Sequence, residues 1–247
     1  MGDLFVKALK LKRSQVPSFK EYPFSIPAIH HLEELRLGLP VTFFIGENGT
    51  GKSTLLEAIA VCAGFNAEGG SRNFRFATRE THSSLTEYLQ LVRSGIRPRD
   101  GYFLRAESFY NVASAADDYG VTHCYGGQSL HTQSHGESFM ALVLNRLRGK
   151  GLYFFDEPES ALSPTRQLSL MAAMQNLVDK GSQFVIATHS PILLGFPGAE
   201  ILLFDSGPIK PIAYQDTEHY VVTRAFLERP DRMLRELMGS DGEAGGD

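Results

Sequence analysis

The chain has 247 residues, 43% of them hydrophobic, which is enough for a sizeable core in one large domain or in a core with an inserted subdomain. Its 24 Lys and Arg stand against 28 Asp and Glu, and a net charge of −4 gives no global argument for nucleic-acid binding. Cys62 and Cys124 stand in no metal-binding spacing, which fits a reducing compartment, and no apolar run nears the roughly 20 residues that a membrane helix needs. With no signal-peptide pattern at the N-terminus, the expectation is a cytoplasmic protein whose membrane role, if any, requires a partner chain.

Residues 4–13 alternate well enough for a strand with one wet face. Lys7, Lys10, Lys12, Arg13 and Lys20 make that region basic, and read as a solvated edge strand. Pro17, Pro23 and Pro27 punctuate a connection, and 30–37 reads as a short helix or turn. Val41-Thr42-Phe43-Phe44-Ile45 is apolar, β-branched and aromatic, the pattern of a buried strand. A helix follows over 53–63, with Cys62 as a core residue, and then a Gly-, Asn-, Ser- and Arg-rich loop or lid over 64–79. Leu85, Tyr88, Leu89 and Val92 give 84–94 helical spacing, and 101–106 reads as a strand. Residues 111–125 carry no clear period. Further helices are expected over 137–148, 165–179 and 224–238, the last broken or kinked at Pro230, with strands at 152–155, 184–187 and 201–204. The Gly- and acid-rich stretch 239–247 reads as a disordered tail. This alternation of strands and helices argues for an α/β core around a mostly parallel sheet.

Gly46-Glu47-Asn48-Gly49-Thr50-Gly51-Lys52-Ser53-Thr54 contains G-x-x-x-x-G-K-S between the strand at 41–45 and a helix. Its glycines let backbone N–H groups turn around a phosphate, and the helix N-terminus adds partial positive charge. Lys52 is placed to reach the β- and γ-phosphates of a nucleoside triphosphate, and Ser53 to put its hydroxyl on Mg²⁺. The second strong feature is the run Leu152-Tyr153-Phe154-Phe155-Asp156-Glu157. A buried strand ending in carboxylates presents them where open α/β sheets bind ligands. Asp156 then suits Mg²⁺, and Glu157 suits an attacking water.

In this order the motifs resemble those of ABC-type ATPases. Asp156 to Ser163 is similar to the Walker B strand end, catalytic glutamate and D-loop of that class. Thr188-His189-Ser190 resembles its switch histidine, and Gln133-Ser134-His135-Gly136-Glu137-Ser138 its signature motif. The resemblance spans 41–190 and is nearer to the stand-alone, AAA-type and recombination-repair or SMC-like members than to transporter subunits. It implies a single domain over 1–240 with an N-terminal antiparallel β portion. A helical or lid insertion at about 65–135 would carry the signature. It also implies ATP hydrolysis with Mg²⁺, with His189 on the γ-phosphate. Asn48 through Thr54 would hold ATP from one chain and Ser134, Gly136 and Glu137 from a second, in a head-to-tail homodimer that drives an unidentified partner.

The signature departs from the family pattern, with His135 for a glycine and Glu137 for a glutamine. Pairing His131 with His135 as metal ligands is the weaker reading, since Gly136 interrupts the helix and no third ligand is apparent. In place of the family's glutamine after the strand at 101–106 the chain offers Glu107, a candidate to touch Mg²⁺ or water. Phe19, Tyr22 and Phe24 are candidates to stack on adenine, and Arg72, Arg75 and Arg79 to reach phosphate or ribose. DNA maintenance or defence is the implied setting; a transporter's nucleotide-binding subunit or a slow ATP-gated assembly switch are the alternatives.

Overall fold

The computed structural model describes residues 4–71, 83–105 and 134–239. In chain order these give β1 (Val6–Leu11), α1 (Pro27–His30), β2 (Glu34–Arg36), β3 (Val41–Ile45), α2 (Lys52–Cys62) and β4 (Gly70–Ser71). Next come α3 (Leu85–Tyr88), β5 (Leu89–Arg93), β6 (Asp100–Arg105), α4 (His135–Arg146), β7 (Gly151–Asp156) and α5 (Pro164–Asp179). The chain continues through β8 (Gln183–Ala187), β9 (Glu200–Leu203), β10 (Lys210–Pro211), α6 (Glu218–Glu228) and α7 (Pro230–Met238). Arg72, Arg75, Arg79, Glu107, Cys124, His131, Gln133, the segment 111–125, the 240–247 tail and much of the 65–135 insertion lie outside the described residues.

The main sheet has the order β10-β9-β3-β8-β7-β6-β4. Its five inner strands are parallel, and short antiparallel strands close both edges. Every residue of β3, β7 and β8 is buried, which explains why these strands read as continuous apolar runs rather than alternating ones. Alternate side chains serve two cores. Phe44, Phe103, Phe154, Val185 and Phe204 pack with α2 and the smaller sheet on one face. Phe43, Tyr102, Tyr153, Phe155 and Ile186 pack with α4 and α5 on the other. Cys62 is half-buried at the margin of the first core, with Thr86 O 3.4 Å from its Sγ.

The smaller sheet is antiparallel, β2-β1-β5. The basic cluster therefore does not mark an edge: β1 is the middle strand, with Lys7 and Lys10 on its wet face. The helical spacing at 84–94 is overridden. Only Leu85–Tyr88 is helical, and Leu89 and Leu91 pair with Leu11 and Leu9, so strand pairing wins over local periodicity. Likewise 30–37 contributes a strand, β2, after the short helix α1. The last helix begins earlier than 224 and is two helices. Pro230 opens the second, where its missing N–H is tolerated. Gln183 ties the sheets together: its Oε1 accepts from the N–H groups of Phe5 (2.9 Å) and Val6 (3.0 Å), and its Nε2 donates to Val6 O (2.8 Å).

Candidate functional site

Parallel register brings the motifs to one edge. Phe44 pairs with Ala187 and Asp156 pairs with both Ala187 and Arg105, so the loop after β3, the end of β7, the turn after β8 and the end of β6 share the carboxyl rim of the sheet. Gly49 (φ +82°) and Gly51 (φ +97°) adopt left-handed backbone, and a Cβ on Gly51 would meet Ile26 Cγ2 at 2.8 Å. Only glycine shapes this loop without strain. Lys52 is buried at the base of α2, and its Nζ donates to Gly46 O (2.7 Å) and Glu47 O (2.8 Å). Burial lowers its pKa, while the charges of Glu157, Asp156 and Glu159 push the other way.

Ser53 Oγ donates to Asp156 Oδ1 at 2.8 Å. The hydroxyl and the carboxylate that suit Mg²⁺ thus already converge, and with a phosphate-shaped backbone beside them they fit a Mg-nucleotide. Arg105 reaches the same place, with Nη1 2.5 Å from Glu57 Oε2 and Nε 3.8 Å from Asp156 Oδ2.

Glu157 sits one residue past β7 with φ +51°, ψ +53°. A left-handed glutamate costs on the order of 1–3 kcal/mol, and its N–H is held by Ala187 O at 2.9 Å. The turn aims its carboxylate at the switch loop: Glu157 Oε1 lies 3.8 Å from His189 Nε2. His189 has two further restraints that the sequence did not disclose. Its backbone N–H donates to Glu159 Oε1 at 2.5 Å, while Thr188 Oγ1 donates to Glu159 Oε2 at 2.8 Å. Its ring Nδ1 lies 3.2 Å from Nε2 of His219 on α6. Burial, and then the Lys52 charge, lower the His189 pKa. Glu159 was visible inside Asp-Glu-Pro-Glu without an assigned role. His219 stands 30 residues from His189 in no motif, so no sequence signal marked it.

Ser134 caps α4. Its hydroxyl accepts from Glu137 N–H (3.4 Å) and donates to Glu137 Oε2 (2.7 Å), and its own N–H donates to that carboxylate (3.0 Å). These bonds hold the Glu137 carboxyl below its usual pKa, with Arg166 assisting. Arg166 of α5 donates to Ser134 Oγ (3.3 Å) and Glu137 Oε1 (3.1 Å). Gly136 is needed for close approach: a Cβ there would lie 2.8 Å from Ala161 O and against Arg166. Among the described residues, the side-chain hydrogen-bond partners of Ser134 and Glu137 lie on α4 and α5 and not in the 46–54 loop.

Of the adenine candidates, Phe24 is buried against Tyr88, and Phe19 packs beneath the Arg13 guanidinium. Tyr22 is 68% exposed, with its Oη 3.4 Å from Thr54 Oγ1 at the start of α2. No described helix is long and apolar enough to cross a membrane.

The fold is that of the ABC-type P-loop ATPases. Residues 23–112 match an "AAA domain" model, and residues 138–195 match one described as "AAA domain, putative AbiEii toxin, Type IV TA system". Across the solved structures the chain is similar to cbiO1 from Clostridium perfringens, part of the ABC transporter complex cbiONQ. The TM-score is 0.51 and the identity 15%, over 96% of this chain and 99% of that one. The SMC head domain from Thermotoga maritima gives a TM-score of 0.47 at 15% identity, covering 85% of this chain and 100% of that one. A stretch of 68 residues, 26% of this chain, is 43% identical to UvrABC system protein A of Treponema pallidum (strain Nichols). That stretch is 7% of the curated relative's length.

Proposed function

We propose that the chain hydrolyses ATP between two head-to-tail copies and passes the change between closed and open dimer to a partner. The observation that carries this reading is the convergence of Lys52, Ser53, Asp156, Glu157 and His189 on one sheet edge. Lys52 turns from its own loop carbonyls to the β- and γ-phosphates. Ser53 and Asp156, with Glu107 as the third residue proposed, would hold Mg²⁺, which would supply charge neutralisation on the phosphates. Glu157 orients the attacking water and accepts its proton, and His189 donates to the γ-phosphate. Asn48 to Thr54 bind the phosphates in one copy. Ser134, Gly136 and Glu137, at the N-terminal end of α4 with the Ser134 and Glu137 side chains exposed, bind them from the other. Tyr22 is the residue best placed to stack on adenine.

The partner setting we propose is DNA maintenance or defence, in the cytoplasm. What supports it over transport is the local identity with UvrABC system protein A and the toxin–antitoxin description of the model matching 138–195. The cbiO1 likeness, at 15% identity, speaks for the fold alone.

The test is size-exclusion chromatography of the Glu157→Gln variant with Mg-ATP, with and without DNA, beside turnover of the wild type. We expect slowed hydrolysis and a trapped dimer. A variant that hydrolyses at the wild-type rate and stays monomeric refutes the mechanism. DNA-stimulated turnover supports the setting, and co-purification with a membrane protein assigns the chain to transport instead.

A further inference from the structure

The switch histidine is held through its ring by a residue outside every motif. His189 Nδ1 and His219 Nε2 are 3.2 Å apart, with ring centroids 5.4 Å apart. The remaining ring nitrogens, His189 Nε2 and His219 Nδ1, are buried and hydrogen-bond to no described residue. His219 is itself anchored. Thr217 caps α6 by accepting from Tyr220 N–H and donates to Tyr214 O (2.7 Å). Tyr214 Oη donates to Pro191 O (2.9 Å), two residues past His189. The start of α6 is thus tied to the switch loop at two points.

Two facing ring nitrogens can share one hydrogen only if one donates and the other accepts. Burial lowers the pKa of both rings, the Lys52 charge lowers that of His189 further and His189 that of His219, so both are neutral near pH 7 with one N–H apiece. Two arrangements follow. If His189 Nδ1 donates, its Nε2 is bare and presents a lone pair to the Glu157 carboxylate 3.8 Å away. If His219 Nε2 donates, His189 carries its hydrogen on Nε2, facing that carboxylate. Each arrangement leaves one buried N–H without a hydrogen bond; the second removes the lone pair–carboxylate repulsion and turns that N–H toward the Glu157 carboxylate, leaving His219 Nδ1 as an unfilled acceptor.

We propose that His219 is a positioning residue: its Nε2–H donates to Nδ1 of His189 and fixes that ring as the Nε2–H tautomer, the form that can donate to the γ-phosphate. This rests on the ATPase reading above for its catalytic consequence, but not for the tautomer itself. It makes helix α6 part of the hydrolytic site.

The test uses the full chain and three variants. His219→Ala removes the donor. His219→Gln returns an N–H at a similar reach. His219→Glu offers an acceptor and so pulls the hydrogen to His189 Nδ1. We expect kcat to fall about tenfold in His219→Ala with KM for ATP within about twofold, to be largely restored in His219→Gln, and to be lowest in His219→Glu. Unchanged kcat in His219→Ala, or equal kcat in the Gln and Glu variants, overturns the proposal. Long-range ¹H–¹⁵N NMR of ATP-free protein, with His189→Gln for assignment, reads the tautomer directly. Nε2–H in the wild type and Nδ1–H in His219→Glu support it; Nδ1–H in the wild type overturns it. A wild type that turns over no ATP would refute the ATPase reading and leave the NMR result to decide the tautomer on its own.

Discussion

The backbone N–H of His189 donates to the Glu159 carboxylate at 2.5 Å, and the other oxygen of that carboxylate takes the Thr188 hydroxyl at 2.8 Å. One side chain from the turn after β7 therefore fixes the loop after β8. Glu159→Ala leaves both donors without their acceptor, and we expect a loss of about 1–3 kcal/mol of stability together with a marked fall in kcat. Thermal melts and steady-state turnover check this, with Glu159→Gln retaining most of both.

The same carboxylate predicts a pH dependence. Burial raises the Glu159 pKa above its ordinary value of 4.5, against the opposing pull of His189 N–H and Thr188. The folded state then binds the proton more tightly than the unfolded chain. The stability this contributes is present below the ordinary carboxylate pKa and is lost as pH rises through the raised one. Melting temperatures of wild type and Glu159→Gln, measured across that window, should shift in the variant's favour as pH rises. A constant difference would contradict a Glu159 pKa raised by burial.

Gly136 meets Ala161 O and Arg166 where a methyl would go. Gly136→Ala should force α4 away from the 157–163 turn and destabilise the chain by about 1–3 kcal/mol. It should also abolish the ATP-dependent dimer at temperatures where the variant is still folded. Denaturation and size-exclusion chromatography on one preparation separate the two effects.

Tyr22 is exposed, and among the described residues its hydroxyl makes one long hydrogen bond, to Thr54. Tyr22→Ala should leave folding unchanged and raise KM for ATP about five- to thirtyfold, the loss of about 1–2 kcal/mol of stacking. Tyr22→Phe should restore it. An unchanged KM in Tyr22→Ala would remove this residue from the adenine site.

Gln183 satisfies three backbone groups of residues 5 and 6 from a position 1% exposed. Gln183→Leu strands two N–H groups and should cost about 3 kcal/mol, a drop of roughly 6–12 °C in Tm for a chain of this size. Nucleotide affinity at low temperature should be retained.

What could be read in advance was whatever chemistry compresses into neighbouring residues. In the proposed function the loop at 46–54 acts through consecutive amides, and Asp156 with Glu157 through adjacency to one buried strand, so their spacing is visible in the chain itself. The buried strands were equally plain, because β3, β7 and β8 are covered on both faces. Legibility ended where the partner is remote. Residues 89–93 look helical until Leu9 and Leu11 of β1 are placed beside them. Arg166 meets Ser134 and Glu137 across two helices, and His219 meets His189 across 30 residues; neither contact leaves a local pattern.

Lys52 spans its own loop, its ammonium bonded to the carbonyls of Gly46 and Glu47. Those two bonds brace the loop from within. Under the proposed function, nucleotide entry is an exchange of acceptors rather than the capture of a loose charge, and part of the phosphate's attraction goes to breaking bonds already made. Replacing Lys52 to make an inactive protein would also remove the two bonds that brace the loop. Such a variant is a poor silent control, whereas Glu157→Gln leaves this internal brace in place.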